Sequence, residues 1–146
     1  MALAENDETN NCFAPAFVVQ VALPDLVVEG ISDPPQTAKI GSKFTIFDNT
    51  VNKGVVSASA STTRYYLSKD TAKGAGDLLI GTRAVPALTP LGQAGNLSSG
   101  SALATIPNAV AGAYRVLACA DDANIVKETS ETNNCLASST TVQVTK

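Results

Sequence analysis

The chain has 146 residues, enough for one domain that buries roughly 70% of its unfolded surface, so it needs no metal or disulfide merely to fold. A net charge of -3, with 16% charged and 45% apolar residues, excludes a basic nucleic-acid face and argues against disorder. There is no histidine, which removes the commonest general base, the Ser-His and Cys-His arrangements and most zinc sites. A binding or structural module is therefore expected rather than an enzyme, and no residue is assigned a catalytic role.

The chain opens without a basic or strongly apolar leader at Met1-Ala2-Leu3-Ala4-Glu5. No signal peptide is expected within it, so a leader was removed or the segment belongs to a longer protein. Apolar runs are short, such as Phe17-Val18-Val19, and far from the ~20 residues of a membrane span. Residues 5–21, ENDETNNCFAPAFVVQV, repeat residues 128–144, ETSETNNCLASSTTVQV, with 10 of 17 positions identical and no gap. The offset of 123 carries Glu8 onto Glu131 and Cys12 onto Cys135. A period that long is a domain, not a solenoid unit. Two readings follow for residues 1–22. They are the closing strand of a preceding unit in a tandem array, or a spare edge strand that pairs with another chain. Residues 23–146 form the domain.

Within that domain Leu26-Val27-Val28 starts a strand after Pro24, and Pro34-Pro35 breaks it. Lys43 to Val51 forms a second strand, with Phe44 and Ile46 alternating against Lys43 and Thr45. Asn52-Lys53-Gly54 reads as a turn in which Gly54 is free to take positive φ. Thr62 to Leu67 puts Thr63, Tyr65 and Leu67 on one face, and Leu78 to Val85 follows a polar loop, Asp70 to Asp77. Leu103 to Ile106, Tyr114 to Ala120 and Thr140 to Val144 complete about seven strands. No stretch sustains a helical period. The fold class is all-β, an Ig-like antiparallel sandwich.

Three cysteines need an explanation. If the last two strands form a hairpin across residues 121–132, pairing positions that sum to 254 places Cys119 opposite Cys135 and Leu117 opposite Ala137. A disulfide there closes a 16-residue loop, worth roughly 3 kcal/mol in the chain-entropy model. It implies an oxidising compartment. The alternative is three reduced, buried thiols in a cytosolic protein. Cys12, the counterpart of Cys135, would find its own partner 16 residues earlier, before residue 1. Within this chain it is unpaired or intermolecular.

Several motifs occur in order: Pro24-Asp25-Leu26-Val27-Val28, Gly41-Ser42-Lys43-Phe44, Val51-Asn52-Lys53-Gly54, Thr63-Arg64-Tyr65-Tyr66-Leu67-Ser68 and Ala118-Cys119-Ala120-Asp121. The last is followed by Glu128 to Cys135. Together they resemble the CARDB domain (cell-adhesion-related domain found in bacteria) over about residues 23–145. The resemblance implies an Ig-like sandwich, repeated within secreted or surface proteins, with no catalytic activity. The stretch Leu88 to Gly100 looks longer than is usual for the family.

Residues 121–134 are rich in oxygen ligands, with Asp121, Asp122, Asn124, Glu128, Glu131, Asn133 and Asn134. Asp121, Asp122, Asn124, Glu128 and Glu131 are the candidate calcium ligands, since calcium takes six to eight oxygens. The plainer reading is a set of Asx turns, because no spaced calcium motif is present. Otherwise no cofactor is expected. The expected function is a non-catalytic extracellular spacing or adhesion module, secreted or on the cell surface. Its partners are neighbouring copies, with no nucleic acid and no membrane span. The alternatives are a filament subunit joined through its N-terminal strand, and a calcium- or carbohydrate-binding module. Aromatics are only 5% and there is no Trp, which weakens a glycan platform.

Overall fold

The computed structural model describes residues 21–109 and 111–146. The repeated segment up to Gln20, with Cys12, lies outside them. Strands are β1 (Leu26–Ile31), β2 (Thr37–Lys39), β3 (Lys43–Asn52), β4 (Ser61–Ser68), β5 (Leu78–Val85), β6 (Leu97–Thr105), β7 (Gly112–Cys119), β8 (Cys135–Ala137) and β9 (Val142–Thr145). No helix occurs among the described residues. One sheet has the order β1-β3-β6; the other runs β2-β9-β7-β4-β5, with β8 also on β7.

Period-two alternation builds the core. Phe44, Ile46, Asp48 and Thr50 of β3 point inward while Lys43, Thr45 and Phe47 face water, Phe47 being 59% exposed. On β4, Thr63, Tyr65 and Leu67 are buried as the alternation required. They pack with Leu26, Val28, Ile80, Val116, Ala118, Val142 and Val144 in a single cluster between the sheets. Each fully buried Leu, Ile or Val contributes roughly 1.5–3 kcal/mol, and this cluster holds the sandwich together.

Nine strands among the described residues replace the expected seven or so. The short β2 follows the Pro34-Pro35 break, crosses to the other sheet and pairs with β9 in parallel, so the fold is not wholly antiparallel. Strand β6 begins at Leu97, six residues earlier than expected, because it pairs with β3 along its full length, from Lys43 with Thr105 to Val51 with Leu97, although its first residues are not β-branched. The long Leu88 to Gly100 stretch is thereby partly strand.

The final strand divides in two. Between β7 and β8, Leu117 faces Ala137 and Cys119 faces Cys135, as the sum of 254 required. Between β7 and β9 the partners are Gly112 with Val144 and Tyr114 with Val142. Two extra residues are thus looped out. Ser138 fills the break: its hydroxyl accepts from Val116 N at 3.0 Å and its N donates to Val116 O at 2.8 Å. Arg115 donates to the carbonyls of Ser138 and Ser139 at 2.6 and 3.0 Å.

Gly54 does not use positive φ. It is needed for close approach: a Cβ there would sit 2.5 Å from the Pro24 Cα.

Candidate functional site

The acidic loop between β7 and β8 is the most elaborate polar region of the described chain. A disulfide joins Cys119 to Cys135 at its base, with the Cα atoms 4.0 Å apart. Just inside, Ala120 N donates to Asn134 O at 2.9 Å. Asp121 and Asn124 both adopt left-handed backbone, with φ of 42° and 49°. Asp and Asn tolerate that region because their short polar side chains bond locally. Asn124 N donates to Asp121 O at 2.7 Å, and Val126 N to Asp121 Oδ2 at 2.7 Å. Glu131 Oε1 accepts from Glu128 N at 3.0 Å.

The same loop grips the start of the domain. Glu128 Oε2 accepts from Leu26 N at the head of β1. Thr129 N donates to Pro24 O at 2.9 Å, and Asn133 Nδ2 to Asp25 Oδ1 at 2.9 Å. Lys53 N donates to Asp25 O at 2.7 Å from the side of Gly54. Pro24, Asp25 and Leu26 are therefore each held by a group of this loop roughly 100 residues away in sequence.

The five candidate calcium ligands separate. Asp122 accepts from the Tyr66 hydroxyl and faces Arg64 Nη1 at 3.4 Å and Lys73 Nζ at 3.7 Å. The Lys73 ammonium also lies 4.4 Å from the centre of the Tyr66 ring. Asp122 is thus a compensated surface charge. Asn124 and Glu131 are exposed. Asp121 and Glu128 turn inward and are 0% and 5% exposed. Asn134, an oxygen donor of the loop outside the five candidates, joins them: its Nδ2 donates to Glu128 Oε1 at 2.9 Å. Among the described residues no three Asp, Glu, His or Cys side chains are arranged to hold a metal ion.

Burial pushes the Glu128 carboxyl up to about 7. The charges of Glu131 and Asp121 add to the rise, while hydrogen bonds from Leu26 N and the Asn134 amide oppose it. Two buried acceptors in this region have no hydrogen-bond donor, Asp121 Oδ1 and Asn134 Oδ1.

A second acidic centre was not singled out from sequence. Asp48 is 3% exposed in the sandwich interior. Arg83 of β5 grips it with Nε at 2.7 Å from Oδ1 and Nη2 at 2.6 Å from Oδ2. The Tyr65 hydroxyl donates to Oδ1, and Thr50 Oγ1 to Oδ2 at 2.9 Å. Thr50 Oγ1 also lies 2.8 Å from Thr63 Oγ1. Gly100 leaves room for the guanidinium; a Cβ there would be 2.7 Å from Arg83 Cδ. The available signal was an Asp at an inward step of the Phe44, Ile46, Asp48, Thr50 alternation. This bidentate pair joins the two sheets and is structural.

The polar loop of residues 70–77 is built from local turns. Asp70 Oδ1 accepts from Ala72 N at 2.8 Å, and Asp77 Oδ2 from Gly74 N at 2.7 Å. All three tyrosines are buried, at 0%, 6% and 6% exposure for Tyr65, Tyr66 and Tyr114, so none offers a ring face as a sugar platform.

The CARDB family model matches residues 23–138. The chain belongs to the CARDB family. Its sandwich is similar to a CARDB domain of Pyrococcus furiosus solved in complex with di-metal ions, at 23% identity and a TM-score of 0.57. That match covers 86% of this chain and 97% of the other. A domain assigned to a cell surface protein of Methanosarcina acetivorans matches with a TM-score of 0.57 and 19% identity, covering 85% and 94% of the two chains. A β-glucosidase of Erythrobacter marinus shares the fold at a TM-score of 0.52 and 13% identity. The match takes 84% of this chain but only 16% of the enzyme. No curated protein matches this CARDB chain. Among its described residues, no helix is long and apolar enough to cross a membrane.

Proposed function

We propose that this CARDB domain is a non-catalytic extracellular module that acts as a spacer in a tandem array. The observation that carries this is the repeat of residues 128–144 at residues 5–21, followed closely by a docked connector. Val21 is the counterpart of Val144, and only residues 22–25 separate it from β1. Pro24 and Asp25 within that connector are held by Thr129, Asn133 and Lys53. A connector this short, bonded along its length, suits a module that fixes the direction of its neighbour.

The Cys119–Cys135 disulfide supports an oxidising compartment, and the surface assignment of the Methanosarcina relative supports the same location. The absence of catalysis is supported by the loop chemistry. Asp121 and Glu131, the two carboxylates that face each other across this loop in sequence, each accept a backbone N–H and so serve the turn.

Light scattering on the full chain and on a variant lacking residues 1–21 tests the reading. An array unit remains a folded monomer after the deletion. A polymer that collapses to monomer on deletion replaces the array with the filament, in which residues 1–21 add to a neighbour's sheet edge. Mass spectrometry without reduction should find Cys119 linked to Cys135, with Cys12 free or intermolecular. A Cys12–Cys119 link within one chain overturns the array, since the N-terminal segment would then hold the place of β8.

A further inference from the structure

We propose that the inward side of the 121–134 loop is a calcium site whose protein ligands are Asp121 Oδ1, the Asn134 side-chain carbonyl and the Glu128 carboxylate. Asp121 and Asn134 are more than nine-tenths buried, and each has an oxygen with no hydrogen-bond donor. A buried oxygen left without a donor is destabilising, and two in one loop suggest a shared electrophile. The Asn134 amide is anchored through Nδ2 to Glu128, which ties the two side chains together. Asp121 and Glu128 both turn inward from the same loop.

The absence of a basic partner favours a cation at these oxygens. Asp122 nearby has Arg64 and Lys73, and Asp48 has Arg83. Among the described residues Asp121, Glu128 and Glu131 form no ion pair. The donors are all hard oxygens, the set calcium takes. Three side-chain oxygens leave positions for water, and of the three ligands Asn134 reaches a cleft of about 470 Å³ whose rim carries Glu131, Asn124, Asp122 and Lys73, while Asp121 and Glu128 lie behind it. The remaining members of the earlier set take other parts. Asp122 is excluded from the shell by its basic partners. Asn124 shapes the turn, and Glu131 supplies charge at the rim.

Such an ion would fix the loop that holds Pro24, Asp25 and Leu26, and so would stiffen the start of the domain. This inference does not depend on the array, because the ligands lie within one module.

Thermal unfolding of the full chain, with calcium chloride added to millimolar concentration after chelation, tests the site. Affinity of about 10⁻⁴ to 10⁻³ M is expected for a shell with this few carboxylates. Tm should rise by several degrees in calcium and return with chelator. Asp121→Asn and, separately, Asn134→Leu should abolish the rise, while Asp122→Asn should keep it. Calorimetric titration at 25 °C on the folded chain gives a second readout that does not depend on how stable each variant is. No heat and no shift for the unaltered chain overturns the site. So does a full response in Asp121→Asn, a loss only in Asp122→Asn, or an equal response to magnesium.

Discussion

The described residues bury carboxylates in two places, and the two are built differently. Asp48 sits between the sheets with a guanidinium, a phenol and a threonine hydroxyl all directed at it. Asp121 and Glu128 sit under a surface loop, held by backbone N–H groups and one amide, with no basic side chain among the described residues. A buried charge is tolerated when its lost hydration is replaced in kind. At Asp48 the replacement is complete and internal, so that centre joins strands and does nothing else. Under the loop it is incomplete, and a polar group left wanting marks a place where something from outside can bind.

The sharpest way to break the contrast is to give Asp48 the condition of Asp121. Arg83→Leu would leave the Asp48 carboxylate buried and unpaired. Removing one partner of such a pair costs about 3–5 kcal/mol, read as a fall in the urea midpoint. A loss under 1 kcal/mol would show that the two centres differ less than their contacts imply.

The disulfide gives the next largest effect and should act on one centre alone. Replacing Cys119 and Cys135 together by alanine frees a loop closed across 16 residues, a loss of about 3 kcal/mol. Hydrogen exchange should then speed up at Val126 and Leu26, whose N–H groups bond to Asp121 and Glu128. The amides of β3 around Asp48 should change only with global stability. Equal loosening at both centres would mean that the loop is not a separate unit.

Protonation separates the centres further. Folded Glu128 stands at about 7 against a reference of 4.5. Between those values the folded state keeps a proton that the unfolded chain has released. Stability therefore falls as pH rises through that window and levels off above it. In chelator, the fall is on the order of 1–3 kcal/mol. Glu128→Gln should flatten it, measured by denaturation from pH 4.5 to 8. A wild-type profile that rises over this range would reverse the sign and remove burial as the cause.

The smallest effect belongs to the compensated surface acid. Asp122→Asn keeps the Tyr66 hydrogen bond and weakens only its partly exposed pairs with Arg64 and Lys73, so thermal unfolding should move by less than about 1 kcal/mol.

How far the sequence could be read depended on the range of the interaction. Cys119 facing Cys135 was legible because a hairpin imposes a constant pairing sum over a few residues. The same rule failed three residues later. There Ser138 supplies the two bonds that let the chain skip, and nothing in the local pattern announces that. Gly54 looked like a turn glycine, but its reason is Pro24, thirty residues earlier. The loop of residues 121–134 was visible as a store of oxygen ligands. Which of them face inward was not, because Asp121 and Asp122 are neighbours in sequence and opposite in surroundings. Asn134 belongs to the repeated Asn-Asn-Cys, and nothing in that repeat announces that its amide binds Glu128.

By itself the sequence determined the all-β class, most strand positions, the disulfide, the repeat and the resemblance to the family. All of these rest on alternation, punctuation and spacing, which act between near neighbours. Only the tertiary structure decided that the last strand divides, that β2 crosses to lie parallel to β9, and that Arg83 reaches Asp48. It alone separated compensated from uncompensated acids. Those outcomes depend on which distant groups meet once water is excluded, and the cost of a buried charge has no expression in a chain whose partners have not yet been brought together.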